Sequence, residues 1–248
     1  MKIIISPAKK MKEDRDSFPA VQLPEFIDKT EELLSVLRKM DYGQLKKLWG
    51  CSDKLVELNI ERLKTMAPRL AQTPAILSYE GIQYQYMAPG VFSREALEYI
   101  QTHLRILSGF YGVLKPFDAV CPYRLEMQAK LKILTASDLY SYWGSMLSDN
   151  LYADDSCVLN LASQEYSTCI IRHLPAGAQF ITCHFVERKD EKLIEKGTLC
   201  KMARGEMVRY LAEHRITDPE GVKDFTGLNY RFSREDSTAD TFVFLKEE

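Results

Sequence analysis

The spacing of apolar and polar positions changes along this chain, and the changes mark out its elements. Lys2–Ile5 carries three isoleucines in a row, the pattern of a short buried strand, and Ser6-Pro7 ends it because proline cannot donate to a ladder. Residues 13–24 are polar, hold two prolines and read as a loop. From Glu25 to Met40 the residues Phe26, Ile27, Leu33, Leu34, Leu37 and Met40 recur at helical spacing, which predicts one buried face. A short helix over 44–49 follows, then a longer one over 53–66 with Leu55, Leu58 and Leu63 expected inward. Ser93 is placed to cap another helix, with Leu97, Ile100, Leu104 and Leu107 at i+3/i+4 spacing. Segment 107–122 is rich in turn formers, and Ser137-Asp138 can cap a helix carrying Leu139, Trp143, Met146 and Leu147.

Beyond residue 150 the β-branched and aromatic content rises, which predicts strands over 157–161, 169–172, 179–186 and 198–202. A helix near 204–214 and a strand over 241–245 close the pattern. No repeat, low-complexity tract or dividing linker interrupts it. The expected architecture is α/β (α+β): a single domain over 1–248, with a central mixed β-sheet surrounded by helices.

Composition narrows the class. The 248 residues, 46% hydrophobic and 27% charged, are those of a globular protein able to bury a sizeable core. No run approaches the roughly 20 apolar residues that cross a bilayer, and the first apolar run is too short for a signal-peptide core. A cytoplasmic protein with no membrane partner is expected. The six cysteines (51, 121, 157, 169, 183 and 200) are scattered and form no C-x-x-C pair, and the four histidines show no metal-ligand spacing. Core thiols, no metal and no cofactor are therefore expected. The net charge of −2 confines any nucleic-acid site to a local patch.

Three places put polar groups where a core would not hold them. Ser6 and Lys9 follow the first strand, and Asn160, Ser163 and Tyr166 are in or just after the strand over 157–161. Ligands of open α/β sheets bind beyond the carboxyl ends of strands, so parallel neighbours here would share one crevice. In Pro122–Met127, an extended chain puts Tyr123, Leu125 and Met127 on one face and Arg124 with Glu126 on the other. Lys201 and Arg204 add a basic pair. If the crevice is catalytic, Glu126 is the candidate acid or base, joined by Lys9, Ser163 and Tyr166, with Lys9, Arg124 and Arg204 holding an anion. The plainer alternative makes Arg124 and Glu126 an ion pair and Ser163 a helix cap.

Residues 44–66 have another character: two helices joined by the short turn Gly50-Cys51-Ser52, a helix-hairpin-helix-like element. In that geometry backbone N–H groups at the second helix's start meet a phosphate. Lys46, Lys47, Lys54, Arg62 and Lys64 supply positive charge, while Asp53, Glu57 and Glu61 oppose it. An ordinary antiparallel helix pair fits these residues equally well.

With these residues in view, the chain resembles the YaaA family from end to end. The motifs are Ile4-Ile5-Ser6-Pro7-Ala8-Lys9, Ser52-Asp53-Lys54-Leu55 with Asn59 and Arg62, and the run from Leu107 to Asp118. Pro122–Met127, Leu139-Tyr140, Trp143-Gly144, Asn160–Tyr166 and Ala203-Arg204-Gly205 continue the likeness in order. At Gly81–Met87 the chain departs from the family's G-x-V-Y-x-G-L by losing the second glycine, and Asn229-Tyr230-Arg231-Phe232 replaces G-Y-x-F. The resemblance implies a bacterial cytosolic protein of the response to hydrogen peroxide, which limits the damage iron and peroxide do to DNA. It also implies DNA binding through a helix-hairpin-helix and a positive cleft.

Two functions follow as expectations. One is largely sequence-independent DNA binding, with distorted or bubble DNA as the form to test for preference. The other is an enzyme acting on a nucleotide or nucleobase-like small anionic ligand in the crevice, for which the residues specify no reaction. Any effect on iron is expected to be indirect, since no ligand set is visible.

Overall fold

The computed structural model describes residues 1–190 and 192–247. Ile3, Ile4 and Ile5 have no exposed surface, as expected of a strand covered on both faces, and their strand β1 (Lys2–Ile5) lies inside an eight-stranded sheet. The other strands are β2 (Leu104–Ser108), β3 (Gly112–Leu114), β4 (Cys157–Leu161), β5 (Gln179–Lys189), β6 (Lys192–Ile194), β7 (Tyr230–Phe232) and β8 (Thr241–Lys246). Their order is β7-β8-β5-β4-β1-β2-β3, with β6 paired to β5. The inner pairs β8/β5, β5/β4, β4/β1 and β1/β2 are parallel; β3, β6 and β7 join antiparallel. The sheet is mixed and the fold is α/β, as the sequence predicts.

The principal helices are α1 (Ile27–Arg38), α2 (Tyr42–Trp49), α3 (Asp53–Thr65), α4 (Ile82–Met87), α5 (Arg94–His103), α6 (Gln164–Ile171) and α7 (Gly197–His214). Ser93 caps α5 by accepting from the Ala96 amide at 3.2 Å. Asp138 accepts from the Ser141 amide at 2.7 Å and starts a helix that stops at Trp143. Gly144, at φ +50°, turns the chain into a second helix over Met146–Tyr152. Helix α7 packs along α4, and also against α5 and β5.

Several expectations are corrected. The segment 169–172, read as a strand, is the end of α6, whose Tyr166, Cys169 and Ile170 form a buried face at helical spacing. The segment 198–202, also read as a strand, is the first part of α7. Leu104 and Leu107 lie in β2, which begins where α5 ends, and Gly112–Leu114 within the turn-rich segment is β3. In α3 the inward residues are Val56, Asn59 and Leu63, whereas Leu55 and Leu58 are exposed. Among the described residues, no helix is long and apolar enough to cross a membrane.

Candidate functional site

Parallel pairing sets Ile5 of β1 beside Leu161 of β4, so the two strands end together. The chain leaving each supplies one serine. Ser6 Oγ accepts from the Ser163 amide at 2.8 Å and lies 3.2 Å from Ser163 Oγ, while the Tyr84 hydroxyl donates to the Ser6 carbonyl at 3.0 Å. Ser163 stands at the N-cap of α6, yet its side chain makes no capping bond. The first turn of α6 thus opens on the cleft without a side-chain acceptor.

The opposite wall is Tyr123–Glu126. Tyr123, Leu125 and Met127 are buried and Arg124 and Glu126 half-buried, the alternation expected of an extended segment. Gly109 lets it approach, since a Cβ there would lie 2.7 Å from the Leu125 carbonyl oxygen. Glu126 takes Lys9 Nζ at 2.8 Å and an Arg124 Nη at 3.5 Å. Helix α7 contributes Lys201 and Arg204 one turn apart, and Arg204 donates to Glu195 at 3.1 Å. Glu195 also meets His184 at 3.3 Å and accepts from the Cys200 thiol at 2.6 Å. These partners, His184 foremost, hold its carboxyl down to about 2. Burial acts the other way on Glu165, whose carboxyl is raised by desolvation and by the charge of Glu126.

Together these residues enclose a cleft of about 430 Å³, within the roughly 300–1,000 Å³ of small-molecule sites. Buried Tyr84, Tyr123 and Tyr166 form much of its wall, and burial raises all three hydroxyls. Lys9, Lys10, Arg124, Lys201 and Arg204 line it against Glu80, Glu126 and Glu165, so the lining is positive although the chain is acidic. Three buried side-chain donors of this lining have no partner: Gln83 Nε2, Arg124 Nε and Arg204 Nε. A buried donor left unmatched costs about 1–3 kcal/mol, so three in one cleft require an explanation. Gln83 is absent from the sequence-based candidates. It lies on a helix among tyrosines, and only the environment of its amide marks it out.

Of the residues singled out from sequence, the cleft brings together Ser6, Lys9, Arg124, Glu126, Ser163, Tyr166, Lys201 and Arg204. Asn160 is not in its wall. Its side-chain oxygen accepts from the Ala162 amide at 2.9 Å and its nitrogen donates to Thr182 Oγ1 at 3.3 Å, so it shapes the turn beneath Ser163.

The hairpin lies apart from that lining. Asp41 and Gln44 form a capping box at the start of α2, Gly50 at φ +54° ends it, and α3 begins after Ser52 with no side-chain cap. Lys46 pairs with Asp53 at 2.6 Å and Lys64 with Glu61 at 2.6 Å. Arg62 donates to the Met11 carbonyl at 3.0 Å, tying α3 to the chain leaving the cleft. Lys47 and Lys54 are exposed and form no ion pair among the described residues.

Comparison with known proteins places this arrangement. Residues 1–236 match the family described as peroxide stress protein YaaA. The chain is 52% identical over 248 residues to a UPF0246 protein of Lachnoclostridium phytofermentans, covering 100% of this chain and 97% of the relative. It is 49% identical over 248 residues to one from Pediococcus pentosaceus, covering 100% and 99%. With likeness of this depth over its whole length, the chain belongs to the peroxide stress protein YaaA family.

Proposed function

We propose that this protein serves the response to peroxide by binding DNA, largely without regard to sequence, and so limits the damage that iron and peroxide do to it. The observation that carries the reading is the turn between α2 and α3. Lys47 and Lys54 flank it unpaired among the described residues, next to a helix start with no side-chain cap. Open amides at that helix start, with an ammonium group borne on either side of the turn, favour a phosphate. Asp53 would oppose this, but Lys46 at 2.6 Å and the Tyr42 hydroxyl already engage its carboxylate. With few such contacts, affinity belongs in the non-specific range of ~10⁻⁴–10⁻⁶ M at physiological salt.

Fluorescence anisotropy with a labelled duplex and a bubble duplex across a salt series tests this. Binding should weaken steeply with salt, and the double variant Lys47→Glu/Lys54→Glu should bind more weakly with a shallower salt slope. Equal affinity in the variant would remove the hairpin from consideration, and no binding at low salt would end the DNA reading.

A second reading, an enzyme acting on a nucleotide-like ligand, is favoured by the unpartnered donors of the cleft. Lys9, Ser163, Tyr166 and Glu126 are its candidate catalytic groups, and their arrangement specifies no reaction.

A further inference from the structure

We infer that the cleft is a binding site for a small phosphate ester, its phosphoryl oxygens drawing on the side chains of Gln83, Arg124 and Arg204, whose Nε2 and two Nε donors are otherwise unmatched. The inference does not rest on the DNA reading, since none of the hairpin residues lines the cleft. Gln83 is only 7% exposed, and the Arg124 and Arg204 side chains are 12% and 11% exposed. The named donor of each lacks an acceptor, although both guanidinium groups reach carboxylates through other nitrogens. Acceptors of the protein's own are therefore within reach of these arginines and still leave the ε positions unused.

The chemistry of the ligand follows from the directions of approach. The donors come from α4, from the extended segment holding Arg124 and from α7, while the first turn of α6 opens on the same space. A carboxylate offers two oxygens in one plane, whereas a phosphoryl group offers three around a tetrahedron, each able to accept from a different wall. An eight-residue helix start adds a favourable field for such an anion. Glu80, Glu126 and Glu165 also face the cleft; Lys10 at 3.0 Å offsets the first and Lys9 at 2.8 Å the second. The organic part of the ester lies along Tyr84, Tyr123 and Tyr166. A space of about 430 Å³ suits one small molecule.

Calorimetry on the full chain tests the site, with 2′-deoxyadenosine 5′-monophosphate as probe, its nucleoside as control and inorganic phosphate as competitor. The monophosphate should bind, the nucleoside at least tenfold more weakly, and phosphate should displace it. Gln83→Leu should weaken the monophosphate at least tenfold while leaving thermal unfolding of the free protein unchanged or improved, because the amide it removes has no partner to lose. If that variant does not fold, Arg124→Lys provides the same reading, keeping the charge but losing Nε.

No heat up to millimolar monophosphate, equal binding of the nucleoside, or unaltered binding in the folded variant would each overturn the site. A duplex that displaces the monophosphate would also overturn it, by assigning the donors to a DNA phosphate. Lys47→Glu/Lys54→Glu should keep the monophosphate affinity whatever happens to DNA binding, so the two readings can fail separately.

Discussion

Gly205 of α7 rests directly on the backbone of Gln83 in α4: a Cβ at Gly205 would fall on the Gln83 carbonyl oxygen and lie 3.0 Å from the Met87 amide nitrogen. Glycine in a helix interior costs about 1 kcal/mol against alanine, and here it permits the two helices to touch. The contact also fixes the backbone of Gln83 against the helix that carries Arg204, the residue before Gly205. Gly205→Ala should therefore force α4 and α7 apart. The expected cost is about 3 kcal/mol or more, since the obstruction is backbone rather than a flexible side chain. Urea unfolding checks it, and a change below about 1 kcal/mol would mean that the helices shift freely.

A pH effect follows from Glu195. Its carboxyl drops from 4.5 to about 2 in the folded protein, chiefly through His184, with Cys200 and Arg204 adding to it. A lowered folded value means that this contribution is full above about pH 4.5 and fades as pH falls toward about 2. Glu195→Gln should accordingly unfold at lower urea than wild type at pH 7, with the gap narrowing at pH 3. A gap of constant size would show that the carboxylate charge is not what the partners recognise. Partial exposure of Glu195 keeps the effect modest.

Membership in a peroxide-stress family invites the thought that cysteines sense the oxidant, and their surroundings argue otherwise. Cys157, Cys169, Cys183 and Cys200 are buried. Desolvation raises all four thiols, those of Cys169 and Cys200 to about 12. Because the thiolate is the reactive form, these groups should be inert in the native state. Timed labelling of native protein with a thiol-reactive disulfide at pH 7.5 should modify at most the half-buried Cys51 and Cys121, with all six reacting after denaturation. Rapid native labelling of any of the other four would refute this.

How much was legible depended on whether local pattern and tertiary environment agree. β1 could be read because three consecutive isoleucines suit a strand covered on both faces, and α1 because its apolar spacing closes on one side. Cys169-Ile170-Ile171 could not: a short apolar run is compatible with either element, and the helical partner Tyr166 decides it. The α5 spacing continued through Leu104 and Leu107 only because β2 starts at the residue after His103, with no breaker between them. Leu55 and Leu58 looked like core by composition, yet α3 turns Val56, Asn59 and Leu63 inward. In the cleft, charged and hydroxyl residues after strands were visible as candidates. Gln83 was not, because its significance lies in what its amide fails to meet.

The placement of β1 has a consequence for how the chain is made. The three isoleucines find their flanking strands only in Leu104–Ser108 and Cys157–Leu161, so the middle of the sheet stays open until both have been synthesised. At ~5–20 residues per second, a wait of roughly 150 residues lasts on the order of ten seconds or more. Throughout that interval the β1 segment lacks at least one of the two strands that flank it in the sheet. Any pause in translation before Leu161 therefore lengthens the time that the three isoleucines spend without their second flanking strand.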